Sequence, residues 1–168
     1  MATVAQRLQS ERLRYPAMNP GEIVIFRTWL KTHEDLYDSF DYNIRIGQGE
    51  DPGPTFADNI RKMWTMNTQF RIDAVAYKNG VPEIIEVEDD CTIRAVGQVM
   101  AYKFIWVKEQ RSAAAPGMRI VCRNFNANVL PMVRDTGIAF DQVVVGSGEM
   151  RIALGLTKLE VARHDARV

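Results

Sequence analysis

The stretch Phe70-Arg71-Ile72-Asp73-Ala74-Val75-Ala76-Tyr77-Lys78, then Asn79-Gly80, then Val81-Pro82-Glu83-Ile84-Ile85-Glu86-Val87-Glu88 reads as one β-hairpin. Asn-Gly between two apolar-rich runs is a strong short-range hairpin signal, because both central residues of a type I′ turn need positive φ. A two-residue loop pairs Lys78 with Val81, and stepping back along both strands brings Asp73 opposite Glu86. Directly opposed side chains have Cβ atoms about 4.5–5.5 Å apart, and like charges there are destabilising. Glu88 follows on the same face two residues on. Carboxylates gathered in this way call for a cation, so the hairpin points to a divalent-metal site.

Composition sets the frame. At 168 residues, 46% hydrophobic and 25% charged, the chain fits a single globular domain with a real core. Twenty-one basic residues balance twenty-one acidic ones, so any contact with nucleic acid must rest on a local patch rather than on net charge. No apolar run approaches the roughly 18–20 residues of a membrane span, and the first residues lack the apolar core of a secretory signal. Cys91 and Cys122, with His33 and His164, make neither a disulfide framework nor a zinc spacing. These features give a cytoplasmic protein with two buried thiols as the expectation.

Around the hairpin the pattern is α/β. Residues 1–18 form a polar N-terminal arm with a weak helical pattern, residues 19–146 the domain, and residues 147–168 a C-terminal extension. Asn19-Pro20 opens a helix to about residue 33, with Ile23, Phe26 and Leu30 as its buried stripe. A strand follows over residues 37–46 and a Gly/Pro-rich loop over 47–55. Residues 56–68 read as a helical turn carrying Arg61, Lys62 and Trp64, either a solvated turn with Trp64 in the core or a basic-aromatic patch for a phosphate backbone or a base. Asp89 and Asp90 read as caps for a long helix over residues 92–110, in which Arg94, Gln98 and Tyr102 share one face while Ile93, Val96, Met100, Phe104 and Val107 share the other. Trp29 and Trp106 are assigned to the core. A strand over 118–123, a helix over 127–136 and a strand over 140–145 complete the order.

The series Asp73 … Glu86-Val87-Glu88 … Gln98-Val99-Met100-Ala101-Tyr102 resembles the PD-(D/E)XK nuclease superfamily over about residues 19–146. The likeness is to the RecB- and Cas4-like branch, which adds a Gln-X-X-X-Tyr motif on the following helix. The resemblance implies a restriction-endonuclease-like fold, a central mixed sheet flanked by helices, and metal-assisted hydrolysis of DNA phosphodiesters with Mg²⁺ or Mn²⁺. It implies Asp73, Glu86 and Glu88 as catalytic metal ligands, with Gln98 and Tyr102 as support and Glu22 as the acid that many members present from the first helix. Where the family usually has Lys, this chain has Glu88. Some active restriction endonucleases of the superfamily carry Glu-X-Glu there, and other members keep the fold without cleavage. Arg94 is a candidate for the missing positive charge, and Arg71, opposite Glu88 in the hairpin register, a candidate to neutralise that carboxylate.

Each residue also has a plainer reading: Asp73 and Glu86 as solvated surface acids, Glu88 as a salt-bridge partner of Arg71, Gln98 and Tyr102 as a helix flank, Glu22 as a first-turn acid favoured by the helix dipole. Two classes of function follow. One is a metal-dependent DNA nuclease. The other is a catalytically silent nuclease-fold protein, serving as a structural or adaptor part of a phage particle or mobile element (and then virion-associated) or as a nucleic-acid-binding accessory factor. A protein partner or a second copy that supplies basic surface is a further expectation.

Overall fold

The structure, a computed structural model, describes residues 14–154, with side chains through residue 150. Most of the expected N-terminal arm and the charged tail beyond residue 154 lie outside the described residues. The elements run α1 (Pro20–His33), β1 (Ser39–Ile46), α2 (Asp58–Thr68), β2 (Phe70–Lys78), β3 (Val81–Cys91), α3 (Ile93–Lys108), β4 (Gly117–Phe125), α4 (Leu130–Asp135), β5 (Ala139–Gln142) and α5 (Ser147–Leu154). The strands form one five-stranded mixed sheet in the order β1-β2-β3-β4-β5. The first three are antiparallel neighbours, and β3, β4 and β5 run parallel. No helix among the described residues is long and apolar enough to cross a membrane.

The local chemistry explains the elements. Asn19 caps α1 by accepting the Gly21 and Glu22 amides at 2.8 and 3.0 Å, and Glu22 returns the bond by accepting the Asn19 amide at 2.7 Å, a reciprocal capping box. Asn79 (φ 51°) and Gly80 (φ 74°) make the primed turn, and the ladder runs from Lys78↔Val81 to Ala74↔Ile85 in the expected register. Thr92 rather than Asp89 or Asp90 caps α3, its hydroxyl accepting the Arg94 amide. The two aspartates instead extend β3, where Asp89 takes a two-pronged ion pair from Arg123.

Helices cover both sheet faces. α1 lays Ile23, Phe26, Trp29 and Leu30 against Ala74, Ala76, Ile85, Val87 and Val121. α3 covers the other face with Ala95, Val96, Val99, Tyr102 and Trp106 against Ile72, Val75, Ile84, Ile120 and Cys122. Fully burying a side chain such as Phe26 or Ile84 contributes about 1.5–3 kcal/mol. Of the expected apolar face of α3 only Val96 is buried, and Ile93, Met100, Phe104 and Val107 stand exposed. The helix carries two apolar stripes, and the sheet takes the one that also holds Tyr102.

Residues 58–68 form a full helix, not a turn, and no residue of it is buried. Trp64 is 47% exposed, which corrects its assignment to the core. Polar ties hold α2 instead: the Arg45 guanidinium donates to the Met66 carbonyl, the Glu50 amide to Thr68 Oγ1 at 2.7 Å, and Arg61 pairs with Asp51. Gly49 (φ 69°) lets the loop lie on α2, since a Cβ there would fall on the Thr65 carbonyl.

Candidate functional site

The β2–β3 ladder stops at Ala74↔Ile85, yet both strands continue. β2 stays with β1 as far as Phe70↔Ile46, and β3 stays with β4 as far as Cys91↔Phe125. The sheet therefore forks in its middle. On β1 the rung opposite Asp73 is also missing: Tyr42↔Ala74 and Ile44↔Ile72 pair, while Asn43 between them takes φ 55°, a left-handed conformation that Asn tolerates. The phase of the strand slips there. Ala74 faces α1, Val75 faces α3, and Ile72 faces α3 as well.

The expected rung between Asp73 and Glu86 is not formed: the ladder ends one pair earlier, and the two residues sit at the first positions past it, where the fork opens. The Asp73 carboxylate takes the place of a backbone partner by accepting the Val87 amide at 2.9 Å. Glu86 Oε1 accepts from Gln98 Nε2 at 2.9 Å, and the same amide group donates to the Tyr102 hydroxyl at 3.2 Å. Gln98 Oε1 in turn accepts Arg94 Nε at 3.0 Å. One helix face thus delivers Arg94, Gln98 and Tyr102 as a connected chain ending on a strand carboxylate.

These groups line a cavity of about 230 Å³, together with Ala17, Glu22, Arg71, Val87 and Glu88. Asp73 is 8% exposed and Glu86 4%, which removes the reading of two solvated surface acids. Burial pushes the Asp73 carboxyl up to about 7, against the opposing Val87 hydrogen bond, and the charges of Glu22 and Glu88 add to the rise. Burial and then the neighbouring Asp73 push Glu86 well above the usual carboxylate range. Glu88 and Glu22 are raised chiefly by burial as well. Tyr102, pushed up to about 12 by burial and the Glu86 charge, keeps its proton. Both shifts run in the direction expected of two close buried carboxyls, where burial and the neighbouring charge disfavour ionisation of each.

The expected residues meet, with two qualifications. No ion pair joins Arg71 to Glu88 among the described residues, although both line the cavity; the ladder between their strands ends before it reaches them. Among the described residues no three His, Cys, Asp or Glu side chains gather closely enough to hold a metal ion. Glu88, two residues and about 7 Å along the strand from Glu86, lines the same cavity. Glu22 closes the helix cap and also lines the cavity.

A cation nevertheless fits the floor. Glu86 Oε2 is buried and has no hydrogen-bond partner, an arrangement that is costly for a charged oxygen unless something fills it. The donors are hard carboxylate oxygens, and Mg²⁺ is commonly held by one or two carboxylates with water and phosphate completing its shell. The Val87 amide, the anchor of Asp73, is invisible to sequence reasoning because a backbone group has no residue signature.

Fold and site together define an α/β protein with an acidic pocket in the fork of a mixed sheet. Comparison with family models, with curated proteins and with solved structures found no match to this chain.

Proposed function

We propose that this chain is a metal-dependent phosphodiesterase of the PD-(D/E)XK type, with a restriction-endonuclease-like fold and DNA as its substrate. The observation that carries the reading is the buried Asp73–Glu86 pair in the fork, with one oxygen of Glu86 unpartnered and the other held by Gln98 of a Gln-X-X-X-Tyr helix face. The order of a helix, an antiparallel three-strand meander, a crossover helix and a parallel strand supports it. Asp73 and Glu86 would hold Mg²⁺ or Mn²⁺, and the bound cation would acidify a water and offset charge on the phosphate. The Val87 amide fixes Asp73 and Gln98 fixes Glu86, so neither carboxylate must reorganise on loading. Arg94 and Glu88 line the same cavity; Arg94 would offset charge on a bound phosphate, and Glu88 would be available to accept a proton from water.

The second reading, a nuclease fold that has lost cleavage and acts as a structural or accessory part, is favoured by one observation: Glu88 stands in the cavity wall where the resemblance expects Lys. Both readings meet one experiment. Mn²⁺ should raise the melting temperature of the wild type, and wild type should nick plasmid or degrade linear DNA with Mg²⁺ or Mn²⁺. Glu86→Ala should abolish both effects. Activity gained only by Glu88→Lys would mark a degenerate site on a competent scaffold. Inertness of both proteins on single- and double-stranded DNA and RNA, with no metal shift, would replace the enzyme by the structural reading.

A further inference from the structure

The outer face of α3 carries Ile93, Gly97, Met100, Phe104 and Val107, at steps of four, three, four and three residues. This is the heptad spacing with which one helix packs along another. The four side chains are 66, 44, 68 and 50% exposed in chain order, and nothing in the described residues covers them. Gly97 is as telling as the apolar residues. A Cβ built on it would meet nothing within 4 Å, so no internal packing demands a glycine in mid-helix, where it weakens the helix relative to alanine. Its notch is open to the outside.

We propose that α3 pairs antiparallel with α3 of a second copy of this chain, about a two-fold axis through Met100. The stripe is complementary to itself in that arrangement and in that register. Ile93 meets Val107 of the second copy, Met100 meets Met100, and Phe104, the largest side chain of the stripe, falls within one residue of the notch at Gly97. Beyond Val107 lies an open cavity of about 480 Å³ walled by Gln110 and residues 112–115, and Ile93 of the second copy points into it from each end. An interface on a two-fold axis must use one self-complementary patch, and large-against-small pairing at mirrored positions is the form such a patch takes. Two 16-residue helices in contact over about 24 Å, extended at both ends by the cavity walls, cover roughly 1,000 Å² in total, below the standard range of stable interfaces and within that of weak, reversible ones.

The charges place a condition on the pair. Arg94 and Lys108 flank one edge of the stripe, so Arg94 of each copy faces Lys108 of the other. Like charges so placed repel, and salt screens them, so association should tighten as ionic strength rises. The same edge borders the acidic cavity through Arg94. Pairing therefore sets the two cavities along one side of the dimer, with Lys108 of one copy adding positive charge near the mouth of the other.

Sedimentation or light scattering of the full chain across concentration and salt tests this. A dimer is expected that dissociates on dilution, tightens at higher salt and is lost in Phe104→Glu, while the circular dichroism and melting of that exposed-site variant are retained. Met100→Cys should form a disulfide-linked dimer under mild oxidation, because that residue lies on the axis, and Lys62→Cys should not; Cys91 and Cys122 are fully buried. A protein that stays monomeric at every concentration overturns the pairing and leaves the stripe to a helix of another protein. A dimer that survives Phe104→Glu and gives no Met100→Cys cross-link places the interface elsewhere and overturns it equally.

Discussion

Asp73 and Glu86 are held in a position that the fold alone does not favour. In the unfolded chain a carboxyl titrates near 4, whereas the folded Asp73 holds its proton up to about 7. Between those values the native state binds more protons than the unfolded state, so stability falls as pH rises through that window and is greatest below it. Metal-free protein should therefore lose stability, on the order of a few kcal/mol, between about pH 4 and pH 7, and Mn²⁺ should restore it above pH 7, since a ligand that binds only the folded state stabilises it by about 2.7 kcal/mol at a hundred-fold excess over Kd. Asp73→Asn keeps an acceptor for the Val87 amide and removes the charge. It should raise the metal-free melting temperature at pH 8 by several degrees and erase the Mn²⁺ shift. A melting temperature of the wild type that is flat from pH 4 to 8 would count against the buried pair. These two residues were legible in the sequence because a period of two and an Asn-Gly turn fix which positions meet; the burial that gives them their chemistry was not.

At the level of elements, the hairpin followed from local rules and the helices less well. Gly80 at φ 74° supports the turn, and Gly80→Ala should destabilise the fold by about 1 kcal/mol, readable as a lower urea midpoint at an unchanged slope. An unaffected midpoint would show that the turn relaxes to another type. Apolar periodicity could not rank the two stripes of α3, since a helix face is buried by what packs on it and not by its own hydrophobicity. The same reason exposes Trp64: α2 has apolar residues, and none of them is buried by the described residues. Trp64→Ala should thus change stability by less than about 0.5 kcal/mol, while a core tryptophan would cost about 3–5 kcal/mol. Denaturant unfolding of the variant separates these.

Across the whole molecule, residues far apart in the chain complete the end of the sheet opposite the fork. Arg119 pairs with Glu83 at 3.0 Å and with Asp141 at 2.5 Å, and Asp141 also accepts Trp29 Nε1 at 2.8 Å. The Tyr37 hydroxyl donates to Glu83, and Arg119 lies over the Trp29 ring. Such a network leaves no periodic trace in the sequence, because its members share no element. Arg119→Met leaves two part-buried carboxylates without their common cation and should cost up to about 3 kcal/mol, the lower bound for a fully buried pair, read as a lower urea midpoint. An unchanged midpoint would show that the two carboxylates find other partners. The five strands were readable from a turn signal and apolar runs, whereas their order in the sheet was not, and the fork depends on β1 and β4 drawing the two hairpin strands apart, a balance that no local window contains.

The Val87 amide, bound to a carboxylate instead of a carbonyl, gives the site its own spectroscopic probe. A proton donated to a carboxylate is deshielded in proportion to the charge it meets, so the Val87 amide resonance should shift as Asp73 ionises and shift again when a cation draws that charge away. Nuclear magnetic resonance of uniformly labelled protein would then read occupancy of the pocket directly from a backbone nucleus, with no substrate present.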